Sequence, residues 1–453
     1  MRRKNDLGRD PIGPLVLRIA LPSMLAQFVS VLYSIVDRMY IGHIPGVGDL
    51  ALAGVGVCGP VVTMIGSAAS LIGVGGAPLM SMRMGEGETE QARRILANCF
   101  LMLCVLSVAL MALLAPIREP MLMLFGASEA TFPFAGAYFS AYLCGTPFAL
   151  LSTGMCQFII CQGFAGQAML SVVLGAVMNI VLDPVFIYVL DMGVTGAAVA
   201  TVISQVGSCA FVLAFLFGSK PHVRITFSGY DVRVMRRVLL IGFTPFAIIA
   251  VDNVMIIAMN AVLKRYGGAA QGDMLLTCAT IAQSFMLVVT MPLGGISSST
   301  QTILSFNYGA RRPDRVREAQ KRVFVLCAVY TGLMMLVAWT CGGVFARLFT
   351  TDAGMADQAV WAIRVCSLAL LPLGIQYEIV DGFTALGQVR LSFPLSFFRK
   401  AVYFAALFIL PACFGARAAF YAEPVSDVLG PLASAIAYKL CIGPVLSDGH
   451  ARV

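Results

Sequence analysis

Apolar runs long enough to cross a hydrocarbon core as a helix, about 20 residues each, recur along this chain from one end to the other. Twelve can be drawn, near 15–42, 51–80, 95–116, 132–156, 168–190, 195–217, 238–262, 275–305, 322–346, 358–385, 391–414 and 427–446; Gly430 and Pro431 interrupt the last. Only 12% of the 453 residues are charged and 59% are hydrophobic, which is too little charge to cover a water-soluble protein of this size. The runs do not alternate polar with apolar, as strands of a membrane barrel would. The expected fold is an all-α polytopic membrane protein with 12 transmembrane helices.

The net charge of +8 reads as topology rather than as a nucleic-acid surface. With the N-terminus cytoplasmic, the tails and even-numbered connections hold 20 Lys and Arg, against five on the other side (Arg118, Lys264, Arg265, Arg347 and Arg417). Cytoplasmic loops carry such an excess, so both termini are expected inside; Arg2, Arg3, Lys4 and Arg452 contribute to the count. "MRRKND" lacks the apolar core and cleavage site of a removable signal peptide and reads as a cytoplasmic tail. The 13 cysteines form no CxxC pair and sit mostly inside apolar runs, so buried free thiols are expected. His43, His222 and His450 are too far apart to suggest a metal site. "GVGGAP" (73–78) lacks the Lys and Ser/Thr of a phosphate-binding loop and follows no strand. No cofactor, nucleotide or nucleic acid is expected.

The chain repeats itself. "SMRMGEGETEQARR" (81–94) matches "SFNYGARRPDRVRE" (305–318), "LFG" (124–126) matches "LFT" (348–350), and "IALPSML" (19–25) matches "IGFTPFA" (241–247), at offsets of 222 to 224 residues. Each half holds six spans, so both halves enter from the same side, as a parallel repeat does. The expected organisation is a tail over 1–14, a six-helix lobe over 15–217, a cytoplasmic linker over 218–237, a second six-helix lobe over 238–446 and a tail over 447–453. Two pseudo-symmetric lobes around a cavity suit alternating access better than membrane-embedded catalysis, and no metal-binding acidic cluster or nucleophile dyad is visible. The chain is expected not to be an enzyme.

Polar residues inside the spans are the candidates for function. Asn179 and Asp183 stand four residues apart and project from one helix face; Pro184 follows and leaves the Ile180 carbonyl without its helical partner. Tyr33 and Asp37 repeat the spacing on span 1. Counted from the outer helix ends, Asp37 and Asp183 lie at matching depth. Thr201 on span 6 reaches that depth, with Gln205 one turn deeper. An ionisable residue in a span costs roughly 2.5–3.5 kcal/mol on insertion scales and is functional by default. Two carboxylates removed from water at one depth disfavour the doubly ionised state and suit proton binding; the same oxygens also suit Na⁺. Arg38 is turned away from Asp37 and is expected to snorkel outward. Pro22 is expected to kink span 1.

In the second half Asp252 lies near mid-span, and Glu378 with Asp381 approach the cytoplasmic end, while Arg399 and Lys400 could neutralise an acidic neighbour. A structural or gating salt bridge and a second ion site both stay open there. The 24 Met and 29 Phe read mostly as lipid-facing or core packing, although a flexible wall rich in both would suit a cavity for varied aromatic cations.

"LPSMLAQFVSVLYSIVDRMYIGH" in span 1, "QGFAGQ" after span 4 and "NIVLDPVFI" in span 5 resemble the multidrug and toxic compound extrusion (MATE) family, in its bacterial DinF- and MepA-like branch. The resemblance covers roughly Pro11 to Leu446. It implies secondary antiport of cationic amphipathic compounds against H⁺ or Na⁺ across a bacterial inner membrane, contributing to drug resistance. It implies an ion site of Asp37, Asn179 and Asp183, with Tyr33 and Thr201 as polar neighbours. Another branch places acids on helices 7 and 10; Asp252 and Glu378 lie near those places without clear register. The wider superfamily adds an alternative, a flippase of a lipid-linked substrate, which the acidic N-lobe disfavours for an anionic cargo. The expected partners are small organic cations and membrane lipids, with the chain acting as a monomer.

Overall fold

The computed structural model describes residues 5–125, 127–349 and 352–448, apart from the side chains of 49, 269, 270, 273 and 448. Arg2, Arg3, Lys4, His450 and Arg452 lie outside the described residues, as do Gly126 and Thr350 of the repeat. The described residues form α1 (Ile12–Gly42), α2 (Gly48–Gly85), α3 (Thr89–Leu124), α4 (Phe132–Ile160), α5 (Ala165–Pro184), α6 (Gly193–Phe217) and α7 (Val232–Gly268). They continue with α8 (Met274–Gly309), α9 (Pro313–Arg347), a broken α10, α11 (Val389–Phe414) and α12 (Ala422–Asp448). α10 is a pair of helices, Ala353–Cys366 and Leu370–Ala385, bent by 48°. Among the described residues, eleven helices are long and apolar enough to cross a membrane, twelve with α10 as one span. The protein is a multi-pass membrane protein.

The helix ends differ from the expected spans for local reasons. α7 begins at Val232 because the Asp231 side chain caps it, accepting a hydrogen bond from the Arg233 N–H at 2.8 Å. The connection between α7 and α8 is helical apart from Gly268, whose φ of 59° suits glycine. The last span begins before residue 427: a 3₁₀ turn over Ala416–Tyr421 feeds α12, so Glu423 joins Asp427 inside the helix. The sequence before α1 is not a loose tail. Leu7 is buried, and the Leu7, Gly8 and Asp10 carbonyls accept from Asn307, Arg312 and Arg315 in the second half, at 3.1, 2.6 and 2.8 Å. Asn5 donates to the Gly163 carbonyl in the first half at 2.9 Å.

The face of the molecule that holds Asn5 and Ile12 is the near side, and helices alternate between it and the far side. The two lobes meet where small residues let backbones touch, as helices in a membrane require. A Cβ on Gly309 would overlap the Met82 carbonyl, and one on Gly85 would overlap the Phe306 carbonyl. Both pairs, Gly85 with Gly309 and Met82 with Phe306, are 224 residues apart, so this crossing carries the pseudo-two-fold axis of the repeat. Higher in the seam Gly242 sits on the Leu71 carbonyl and Gly295 on Ser23, and Ser81 Oγ donates to the Thr302 carbonyl at 3.0 Å. One buried apolar cluster takes in the first lobe together with Leu293, Ile303 and Val316 of the near side. A second cluster, with Met255, Phe285 and Leu407, contains residues of the second lobe only. The lobes are thus welded on the near side and packed separately beyond it.

Candidate functional site

α1, α5 and α6 build the site, because each carries polar groups at helical spacing. On α1, Ser23, Gln27, Ser30, Tyr33 and Asp37 follow one another at three or four residues and form a stripe. On α6, Thr201, Gln205 and Ser208 do the same. α1 runs through Pro22 without a break. At Pro184 the α-helical ladder of α5 gives way to a five-residue π-helix over Val185–Val189, closed by the Leu190 N–H to the Val185 carbonyl. Tyr188 within it donates to the Tyr40 carbonyl at 2.7 Å, tying the altered segment to α1.

The structure brings Asp37, Asn179, Asp183 and Thr201 together. The Asn179 amide donates to Asp183 Oδ1 at 3.0 Å and to Thr201 Oγ1 at 3.3 Å. Thr201 Oγ1 in turn donates to the Ala197 carbonyl at 3.0 Å. Asp37 of α1 and Asp183 of α5 lie close enough for their carboxyls to interact. Asp183 and Asn179 are buried. Asp37 Oδ1, Asn179 Oδ1 and Asp183 Oδ2 are all buried acceptors with no donor among the described atoms. Such groups are costly unless a proton or cation completes them. Arg38 is exposed, and it joins none of the ion pairs found among the described residues.

Tyr33, Asn179, Thr201 and Gln205 line a cavity of about 300 Å³, to which Gly295 and Ser298 of the second lobe also contribute. Its wall holds one methionine, Met169, and no phenylalanine, so a Met- and Phe-rich lining is not what this cavity offers a cation. The polar stripes of three facing helices leave no room for it. Gln27, Ser30 and Tyr142 also line this space. Sequence reasoning passed over them, although the α1 stripe contains the first two.

Asp252 and Glu378 do not join this cluster. Asp252 pairs with Lys400 of α11. Glu378 is buried on the face of α10 that meets Gln320 of α9, and neither carboxylate oxygen has a partner among the described atoms. Asp381 accepts from Ser297 Oγ on α8. Sequence reasoning also missed Glu423 and Asp427 of α12. Their four-residue spacing, the same as that of Asn179 and Asp183, was the available signal.

A helical membrane protein with two pseudo-symmetric lobes and buried acids between helices has the build of a secondary transporter rather than an enzyme. The MatE family model matches residues 22–185 and 249–409, and the chain belongs to that family, the multidrug efflux transporters. Among curated proteins, it is 23% identical over 430 residues to the multidrug export protein MepA of Staphylococcus aureus (strain MSSA476), covering 94% of this chain and 93% of that one. The protein of the same name from Staphylococcus haemolyticus (strain JCSC1435) is 24% identical over 432 residues, with the same coverage. Among solved structures, a MATE protein in complex with MaD3S superposes with a TM-score of 0.91 at 22% identity, over 98% of this chain and 100% of that one. An outward-facing multidrug resistance MATE transporter of the MOP superfamily gives 0.89 at 22% identity, over 99% and 100%.

Proposed function

We propose that this protein is a secondary antiporter that exports cationic amphipathic compounds in exchange for protons, with its near side facing the cytoplasm of a bacterial cell. The observation that carries the reading is the cluster of Asp37, Asn179 and Asp183, which turns three buried acceptor oxygens together with no donor to them among the described atoms. Held together they take up a proton; driven apart or ionised they present negative charge to the cavity. Protons arriving from the far side neutralise the pair and weaken its attraction for a cation, which leaves. The lobes then separate at the glycine seam, the proton departs inside, and the freed carboxylates accept new cargo.

Energetics constrain the exchange. One charge crossing 100 mV is worth about 2.3 kcal/mol, and one pH unit about 1.4 kcal/mol. With one proton per monovalent cation the voltage contributions cancel, and a unit of pH gradient supports about tenfold accumulation.

The test is transport of ethidium in reconstituted vesicles, with a pH gradient or a Na⁺ gradient imposed separately. Transport driven by the pH gradient and lost in Asp37→Asn supports the reading. Transport driven by Na⁺ alone would replace the shared proton with a metal ion held by the same oxygens. Transport under neither gradient overturns antiport and favours a flippase.

A further inference from the structure

Two arginines of the second lobe stand at the near-side ends of α7 and α11 with no acid to meet them. Arg236 belongs to the basic run over 233–237 and lies one turn into α7; Arg390 lies in the first turn of α11. Both line one groove of about 630 Å³, and every other residue lining it is apolar. Neither arginine joins an ion pair found among the described residues. Acids of the same face are engaged elsewhere: Asp231 caps α7, and Glu86 pairs with Arg83 at 2.6 Å. The cations deeper in α11 are matched as well, Arg399 by the buried Asp427 at 2.7 Å and Lys400 by Asp252.

The groove has a charged end and an apolar end. Phe243 lies seven residues beyond Arg236, about 10 Å along the helix, and Phe393 and Pro394 lie a turn beyond Arg390. The Phe243 and Phe393 rings stack between the two helices, with centroids 5.8 Å apart. Leu240 is 57% exposed and Phe243 is 50% exposed, so the apolar wall opens outward from the bundle, where a membrane-spanning chain meets lipid. The arginines decide which lipid. A guanidinium can lay its stem along an apolar wall while its head stays at headgroup depth, and its planar fork holds a phosphate through two parallel hydrogen bonds. α11 adds to this: Gln388 gives its start no side-chain cap, so the first N–H groups and the positive end of the helix lie at the charged end of the groove.

We propose that this groove is a binding site for an anionic phospholipid of the near-side leaflet, with the phosphate held between Arg236 and Arg390 and an acyl chain against Leu240, Phe243 and Phe393. A zwitterionic lipid would bring its own ammonium beside two unpaired arginines, whereas a glycerol headgroup brings only hydroxyls. Basic pockets between helices on the cytoplasmic side hold anionic headgroups for the same reason. The site is separate from the Asp37–Asp183 cluster and does not depend on the antiport reading.

The test is quenching of a single tryptophan in the full chain, reconstituted in vesicles that mix phosphatidylglycerol with phosphatidylcholine, one of the two carrying brominated acyl chains. Trp339 and Trp361, the two tryptophans of the chain, are replaced by phenylalanine, and Leu240→Trp places the reporter in the groove. Exchanging which lipid is brominated gives the relative affinity of the groove for the two. Phosphatidylglycerol should be preferred by at least about fivefold, the attraction of a single basic residue near an anionic membrane surface. Arg236→Gln with Arg390→Gln should remove the preference; both side chains are exposed, so the packing of the lobe stays in place. Arg390→Gln alone should lower it, although Arg390 and the reporter are on different helices. Arg317→Gln with Lys321→Gln removes the same charge from exposed positions of α9 and should leave the preference unchanged. Equal affinity for the two lipids, a preference that survives loss of both groove arginines, or an equal fall in the α9 variant overturns the site.

Discussion

The glycine crossing between α2 and α8 makes a quantitative prediction about the conformational equilibrium. In Gly309→Ala the new methyl meets the Met82 backbone carbonyl, and in Gly85→Ala it meets that of Phe306. Neither obstacle is the end of a flexible side chain, so relief requires the helices to part. Overpacking of this kind costs about 1–3 kcal/mol, and the cost exists only while the near side is closed. A penalty confined to one state shifts the populations toward the other, here by about 5- to 150-fold. The two substitutions act at symmetric positions of one crossing, so their effects should not add. Spin labels at Gln91 and Arg317, both exposed on the near side of different lobes, would report the separation, with the exposed Cys144, Cys341 and Cys413 replaced first. The unaltered chain should give a short, narrow distance distribution and Gly309→Ala a longer, broader one. Gly59→Ala, where a Cβ meets nothing within 4 Å, is the control. An unchanged distribution in Gly309→Ala would refute the idea that this seam closes one side of the transport path.

Three further outcomes follow from single contacts. Arg399→Met leaves Asp427 buried without its cation and should lower stability by about 3–5 kcal/mol, read as an earlier thermal transition in detergent; Arg399→Met with Asp427→Leu should recover most of it. Arg315→Ala removes the donor to the Leu7 and Asp10 carbonyls and the bond to Asn307, so amide exchange over residues 5–10 should speed up while helix cores stay protected. Asp183→Asn should end pH-driven ethidium accumulation as Asp37→Asn does, because either amide takes the place of the shared proton; accumulation kept in one of the two would mean that the remaining carboxylate suffices.

What could be read from the sequence divides along the range of the interactions involved. Asn179, Asp183 and Pro184 were legible because helical periodicity and the loss of a proline N–H are local: the four-residue spacing puts the side chains on one face, and the missing donor prepares the π-turn that follows. Depth counting brought Asp37 to the same level, since both helices rise in the same direction by the same amount per residue. Which residues of other helices fill the remaining space is not local, and there the reading stopped. Nothing in the periodicity of α10 indicates that Glu378 faces Gln320 rather than the cavity, nor that Asp252 spends its charge on Lys400. The start of α12 was hidden for a different reason. A 3₁₀ turn of small and aromatic residues over 416–421 looks like a loop end, so Glu423 fell outside the span and its pairing with Asp427 at helical spacing went unnoticed. Charge balance narrows the choice without making it. Two adjacent cations on α11 call for carboxylates on neighbouring helices, and Asp252, Glu378, Asp381, Glu423 and Asp427 all qualify in sequence; only the packing of the helices assigns Asp427 to Arg399 and Asp252 to Lys400.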